Sequence, residues 1–411
     1  MADQGKNKPI GSTWLNSTTI KKLFKALDPD GNELRIVGGA IRNHLLDLPV
    51  TDIDFASCMT PDKIIDRAQS ANLKTIPTGI EHGTITVMVD SEPFEVTTLR
   101  SDVETDGRRA KVVFGTSWEE DAARRDFTVN ALYATRDGQI YDPLGSGLED
   151  IEKRVLRFIG DPSKRIKEDY LRILRYFRFC AVLNFGEFNQ PAIDAAIAER
   201  GGLKTLSKER VKEELFKLIS ANEAPAVVEK MYSSGLLQEL LEFVPNLAAF
   251  KRICELEETL NLTPNASLRL GCLTLWNAGD IDRMTHSLKL SKSEVETLRK
   301  MAINKRWRLE QDASDMQREH CRLGKETFLI KVLSAWALGQ RSTTDPELKN
   351  LYVEAMEWEA IEFPLAGSDL LNEGLSEGPA IGEKLRNLKE KWLESDMQLS
   401  KSDLLSLAKN T

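Results

Sequence analysis

Two aspartates stand one residue apart in "LPVTDIDFAS" (residues 48–57), where Asp52 and Asp54 flank Ile53 and an apolar run continues through Phe55 and Ala56. Charged side chains are rarely embedded in such a run without a partner. On an extended strand, residues two apart share a face. The two carboxylates therefore project together, with Ile53 and Phe55 facing away. Carboxylates that close repel unless a cation lies between them. Mg²⁺ answers that need, because it takes one or two carboxylates together with substrate phosphates. An edge strand carrying two solvated aspartates would give the same local pattern, so the surroundings decide.

Upstream, "VGGAIRN" follows a β-rich run and opens a helix, with Gly38 and Gly39 at the junction. Paired glycines allow a tight turn and close approach to a ligand, and free N–H groups at a helix start suit phosphate. Arg42, one turn in, adds a charge-assisted contact. The spacing is neither that of a Walker loop nor that of a dinucleotide GxGxxG. Downstream, "EEDAARRDFTVNALY" sets Arg124 beside Arg125. Adjacent residues diverge on a helix, so one reaches a site while the other is solvated or paired with Asp121. In "RIKEDYLRILRYFRF", Asp169, Arg172, Arg175 and Arg178 recur every three residues, so on a helix each meets the next. Tyr170, Leu171, Ile173, Leu174 and Phe177 fill the rest of the circumference. Arginines on a helix buried so broadly need anionic partners. Asp169 can serve one of them; phosphates or further carboxylates serve the others.

The elements that position these groups fall into two regions. Up to about residue 145, "ELRIVGG" reads as a strand, "AIRNHLLDL" as a helix, "DIDFA" as a strand and "TPDKIIDRAQSAN" as a helix. "GTITVMVD" and "PFEVTTL" form a hairpin split by "SEP", and "VNALYATRDGQIYDP" suggests a second around Asp137-Gly138. Beyond about residue 150, helical periodicity dominates, as in "SKERVKEELFKLI" and "KSEVETLRKMAI". The pattern predicts a small head of strands and helices followed by an all-helical remainder, an α+β chain without internal repeats.

With 411 residues, 41% of them hydrophobic, the chain has room for two or three cores. "MADQGKNKPIGSTWLNS" has neither an apolar signal region nor an Arg-rich presequence, and no run approaches the roughly 18 apolar residues of a membrane span. No membrane partner is expected. Cys58, Cys180, Cys254, Cys272 and Cys321 are scattered without a CxxC, which points to reduced thiols in a cytoplasmic protein rather than disulfides or zinc. His320 beside Cys321 lacks ligand spacing and reads as structural or surface. A net charge of −8 neither supports nor excludes nucleic acid, since a local basic face decides that. "INKRWR" (303–308) is either such a phosphate contact or a solvated basic face. No obligate protein partner is evident.

The ordered set "GGAIRN…DID", "GTITV", "FEVTTLR", "RRDFTVNAL", "DPLGSGLEDI", "EDYLRILRYFRF" and "LSKERVKEEL" resembles the class II CCA-adding tRNA nucleotidyltransferases, relatives of bacterial poly(A) polymerase. The likeness covers about residues 10–220, and "EGPAIGEKLRNLKEKW" is similar to the family's tail. It implies a polymerase-beta-like head with a mixed sheet (1–150), then a helical neck that recognises the base (151–220), a body (221–310) and a tRNA-binding tail (311–411). It further implies template-independent addition of C, C and A to the tRNA 3′ end from CTP and ATP. In that reaction two Mg²⁺ ions on Asp52 and Asp54 bring the 3′-hydroxyl to the α-phosphate and pyrophosphate departs. By the same resemblance, Gly39 and Arg42 contact nucleotide, Arg125 with Asp126 and Asn130 holds sugar and phosphates, and Asp169, Arg172, Arg175 and Arg178 read the base and triphosphate. Glu95 is a candidate third carboxylate. Two positions depart from the family pattern: Asn43 stands where an Asp is usual, and Ser146 where a second glycine is common. Poly(A) addition, or addition of only CC or only A, is the nearest alternative, and a non-catalytic RNA-binding protein a more distant one. The segment around 101–115 has the undeleted length of full CCA enzymes.

Overall fold

The computed structural model describes residues 10–11, 13–106, 109–115, 117–241, 243–302, 313–359, 361–374 and 378–409, with the side chains of 101–113 and 313 left aside. "INKRWR" (303–308) lies outside the described residues. The chain divides into two compact units, one of residues 1–218 with 226–242, the other of residues 219–225 with 243–411.

The first unit is built on a seven-stranded mixed sheet. Its strands are β1 (Leu34–Val37), β2 (Asp54–Ser57), β3 (Lys74–Gly79), β4 (Thr84–Val89), β5 (Glu92–Thr98), β8 (Tyr133–Ala134) and β9 (Ile140–Tyr141), in the order β3-β4-β5-β2-β1-β8-β9. Only β2 and β5 run parallel; all other neighbours are antiparallel. Both expected hairpins are present, β4–β5 and β8–β9. A separate two-stranded ribbon, β6 (Arg100–Asp106) with β7 (Arg109–Phe114), occupies the segment of undeleted length.

Alternation along β2 sends Phe55 to one face and Asp54 with Ala56 to the other. Phe55 packs edge-on against Phe24 of α1 (Thr18–Leu27) and Phe94 of β5, at centroid distances of 5.5 and 5.9 Å. Each fully buried ring of this kind contributes roughly 1.5–3 kcal/mol. The opposite face buries Val37, Ala56, Leu99, Trp118, Ala131, Tyr133 and Ile159 as a second cluster. Asp54 emerges at the rim of that cluster, directly paired with Val37 of β1.

Helices α2 (Gly39–Leu45), α3 (Pro61–Ser70), α4 (Trp118–Ala123) and α5 (Gly147–Glu152) complete the head, and α6 (Pro162–Glu168), α7 (Leu171–Leu183), α8 (Gln190–Ala198) and α9 (Lys208–Ile219) follow. The expected continuous helix through the arginine ladder is broken. Asp169 is extended (φ −155°, ψ 106°) between α6 and α7, and its Oδ1 accepts the Leu171 amide at 3.1 Å. β2 also starts later than expected, at Asp54, so Asp52 precedes the strand. Ser146, the residue before α5, has φ −123°, an ordinary backbone that a serine adopts freely.

The second unit is helical throughout its described residues. Its core centres on a buried Arg269–Glu257 pair, with Arg269 also donating to the carbonyls of Ile219 and Ala221 at 2.7 and 3.0 Å. His320 is buried between the rings of Phe328 and Trp358, which bears out its structural reading. Near the C-terminus, Leu370, Leu388, Trp392, Leu393 and Leu404 form a smaller core. Among the described residues no helix is long and apolar enough to cross a membrane.

Candidate active site

A cavity of about 290 Å³ opens where β1, α2 and β2 meet the segment after α4 and the middle of α7; Gly38, Gly39, Arg42, Asp52, Asp54, Arg125, Asp126, Asn130, Arg175 and Arg178 all line it. Gly38 and Arg178, 140 positions apart, thus share one wall.

The turn into α2 explains the first glycine. Gly38 has φ +73° and ψ −118°, a backbone that only glycine adopts without strain. Its amide donates to the Leu132 carbonyl at 2.9 Å, which ties the turn to the segment before β8. At Gly39 a Cβ would meet Arg42 Nη2 at 3.5 Å, an ordinary contact, so neither space nor backbone conformation demands glycine there.

Arg42 is 7% exposed, yet no carboxylate forms an ion pair with it among the described residues. Its Nε and Nη2 donate to Asn43 Oδ1 at 3.1 and 2.7 Å, and Nη1 donates to Asn130 Oδ1. Lost hydration and then the nearby Arg178 push the guanidinium down to about 10, with Asp126 opposing. Asn43 also donates from Nδ2 to the Pro49 carbonyl at 2.8 Å, so it fixes Arg42 and buttresses the approach to Asp52. An Asp at 43 would have supplied the missing countercharge. The Asn leaves Arg42's charge for a ligand.

Asp52 and Asp54 are both exposed to the cavity, and neither forms a salt bridge among the described residues. Lost hydration at the wall raises the Asp54 carboxyl above the usual range. Glu95 adds to the shift, Arg125 opposes it, and Asp52 adds a smaller repulsion. Glu95 stands beside Asp54 in the parallel β2–β5 register and on the same sheet face. Two oxygen donors crowded by a third carboxylate are a donor set that a divalent cation relieves. Among the described residues, no three acidic, His or Cys side chains converge to hold an ion by themselves. The geometry fits a cation completed by phosphate oxygens.

The second cluster is ordered by Asp121, which is 1% exposed. Its Oδ1 accepts from Arg124 Nε at 2.9 Å, and its Oδ2 accepts Arg125 Nε and Nη2 at 3.1 and 2.9 Å and the Tyr133 hydroxyl at 2.6 Å. Both arginines are therefore tethered to it, and only Arg125 lines the cavity. Ser117 caps α4 and Trp118 anchors it, stacking under Arg35 at 4.1 Å and edge-on to Tyr133 at 5.3 Å.

The ladder finds its anions in carboxylates. Asp126 Oδ2 accepts Arg175 Nε and Nη2 at 2.9 and 2.6 Å, while its Oδ1 accepts Asn130 Nδ2 and the Phe127 amide. Burial alone would raise the Asp126 carboxyl, but Arg175 and these donors outweigh it and hold it low. Glu214 of α9 lies 2.8 Å from Arg178 Nε and 3.5 Å from Arg175 Nη1. Phe179 carries Arg42, Arg175 and Arg178 around one ring, at 4.9, 5.5 and 4.2 Å.

Asp169 and Arg172 do not line the cavity and are not paired with each other. Asp169 Oδ2 accepts Arg210 Nη2 at 2.6 Å; Arg172 is held by Glu168 and donates to the Arg165 carbonyl at 2.9 Å. Sequence reasoning assigned no role to Glu168, Glu214 or Arg210. Glu168 was visible as the residue four before Arg172, but Glu214 and Arg210 reach the ladder only through tertiary packing.

Residues 34–157 match the family model described as the poly A polymerase head domain, and residues 192–251 match that of a probable RNA and SrmB-binding site of polymerase A. The chain is 33% identical over 400 residues to the mouse (Mus musculus) protein named CCA tRNA nucleotidyltransferase 1, mitochondrial, covering 95% of this chain and 90% of that one. It is 30% identical over 385 residues to the CCA-adding enzyme of Lactobacillus helveticus, covering 92% and 93%. The fold is similar to that of the Bacillus stearothermophilus CCA-adding enzyme, solved in complex with CTP, with a TM-score of 0.72 and 24% identity over 96% of this chain and 98% of that one. Nucleotidyltransferases of this family generally depend on a divalent metal. With near full-length similarity on both sides and the head architecture in place, this chain belongs to the CCA tRNA nucleotidyltransferase (CCA-adding enzyme) family.

Proposed function

We propose that this chain adds C, C and A to the 3′ end of tRNA from CTP and ATP, without a nucleic-acid template and with Mg²⁺ as its cation. The single observation that carries the reading is Arg42, a buried cation whose side-chain hydrogen bonds among the described residues go to neutral amide oxygens and which has no ion pair among them, in one cavity with two aspartates that form no salt bridge among the described residues. A buried charge without a counterion costs several kcal/mol, and a nucleotide triphosphate bound there would supply the anion.

In this reading Asp52 and Asp54 would hold the metal, and the chemistry it would supply when bound is a lowered pKa for the attacking hydroxyl and compensation of charge on the departing pyrophosphate. Gly39 brings the α2 backbone close to the nucleotide. Arg42, Arg125, Arg175 and Arg178 bind triphosphate oxygens, and Asp126 and Asn130 orient Arg175 and Arg42 while facing the sugar. Glu95, beside Asp54, would serve as a third carboxylate that polarises the attacking hydroxyl. Asp169 and Arg172, although held by Arg210 and Glu168 outside the cavity's lining, are assigned the choice of base. A carboxylate accepts and a guanidinium donates, which complements the amine-beside-ring-nitrogen edge shared by cytosine and adenine. Guanine and uracil present the reverse, and mismatches of that kind cost selectivity of about 10⁴. Head, neck, body and tail would run 1–150, 151–220, 221–310 and 311–411. Among the described residues the cysteines form no disulfide, which suits a reducing compartment, the cytoplasm in this proposal.

The test is Mg²⁺-dependent incorporation of labelled CTP and ATP into tRNA lacking its 3′ end, read as product length. Three added nucleotides are expected. Long A tracts would identify a poly(A) polymerase, and products stopping after CC or accepting only A would identify a partial enzyme.

A further inference from the structure

The break between α6 and α7 lies at Asp169; the next residue, Tyr170 (φ −60°, ψ −17°), leads into α7, with Arg172 two positions further on. Across from it runs a tight 3-10 segment, Arg200–Thr205. A Cβ built on Gly202 would overlap the Tyr170 ring at Cγ, Cδ1 and Cε1. Gly202 is not in the left-handed region, so its requirement is space rather than backbone conformation. The ring lies on bare backbone.

That backbone is itself fixed. The Gly202 amide donates to the Glu199 carbonyl at 3.0 Å, and the Gly202 carbonyl accepts the Thr205 hydroxyl at 2.7 Å. Glu199 pairs with Lys167 of α6 at 3.0 Å, and Lys204 pairs with Glu239 at 2.9 Å. The 3-10 segment is thus held from both ends, one tie coming from the helix that leads into the break. Arg210 of α9 holds the Asp169 carboxylate from another side.

The geometry points to Gly202 and Tyr170 as positioning residues for base selection: the ring seated on Gly202 sets the break that presents Asp169 and Arg172. The inference rests on the base-reading role proposed for that pair. Tyr170 follows Asp169 directly in the chain, so a ring pushed off its seat by a methyl group carries its displacement into the backbone at Asp169. A misplacement of about 1 Å can cost on the order of 10²-fold. The loss falls first on the choice among bases: Arg172 is in the first turn of α7, whereas Asp52, Asp54, Arg42 and Arg125 stand on other elements and Arg175 and Arg178 lie one and two turns further along the helix.

The experiment measures kcat/KM for CTP and for UTP on tRNA lacking its 3′ end, using the full chain. G202A and Y170A are each expected to lower the CTP-over-UTP preference by roughly 10- to 100-fold, with tRNA affinity retained. The double variant is expected to be no worse than either single one, because without the ring the added methyl has nothing to displace. Y170F, which keeps the ring, is expected to retain the wild-type preference. A merely structural role would lower CTP and UTP use alike. Wild-type preference in folded G202A and Y170A, or losses that multiply in the double variant, overturns the proposal. Should G202A fail to fold, the comparison of Y170A with Y170F decides alone. D169A separates the two claims: unchanged preference there refutes base reading by Asp169, whereas relaxed preference there with wild-type preference in G202A and Y170A refutes the seat alone.

Discussion

Replacing Asp121 by alanine strips the anion from two arginines and a tyrosine at once. The carboxylate is 1% exposed and binds Arg124, Arg125 and the Tyr133 hydroxyl. Removing one partner of a buried ion pair costs about 3–5 kcal/mol, because the remaining charge is left uncompensated. For a unit of this size that corresponds to a fall in Tm of roughly 6–20 °C. Activity falls by a separate route. Arg125 lines the cavity and is aimed by Asp121, and charge-assisted hydrogen bonds are worth about 1.5–3 kcal/mol, or roughly 10- to 150-fold in kcat/KM. The pH dependence has a definite sign. Burial would raise this carboxyl, but Arg125, Arg124 and Tyr133 outweigh it and hold it below the usual range. Its stabilisation is then full above the unfolded value of about 3.9 and is lost as pH falls through the folded pKa. Thermal unfolding across pH 3–7 should show D121N both less stable and flatter on the acid side than wild type. A D121A variant with wild-type Tm and kcat/KM would refute the hub.

D52A or D54A should abolish nucleotide addition while leaving tRNA affinity and Tm largely intact, since metal-free crowding at Asp54 is relieved; near-normal turnover in either would count against the metal role. Because Glu95 is the foremost neighbouring charge raising Asp54, E95Q should move the acid limit of Mg²⁺ binding, followed by calorimetry, to lower pH; an unmoved limit would detach Glu95 from the site. Trimming the β6–β7 ribbon within 101–115 should preserve addition of both C residues and stall the terminal A; equal loss of C and A would make the ribbon structural.

Local pattern made much of the head legible. The glycine turn, the acidic strand end and both hairpins follow from alternation and turn chemistry that a single segment carries. β3 escaped because it is an exposed edge strand with Pro77 inside it and a register shift between Ile76 and Gly79. Edge positions are where a sheet tolerates proline, and such a run reads as a loop. The break at Asp169 was equally hidden: no glycine or proline marks it, and the apolar period runs straight through. What ends α6 is a side chain capping the next helix and an arginine from α9, neither visible at short range. Asp121 was readable three and four residues before its arginines, whereas Glu214 was not, lying on another helix. The sequence thus pointed to many of the cavity's lining residues, placed Asp169 and Arg172 with them although both lie outside the lining, and missed much of the scaffolding.

The measurement closest to the central claim is sequencing of the 3′ ends made from tRNA lacking its terminus, tRNA-C and tRNA-CC, with all four nucleotides and Mg²⁺ present. All three substrates should converge on one product ending in CCA, without U or G and without further extension. Mixed termini, A tracts, or products that differ with the starting end would contradict template-independent CCA addition.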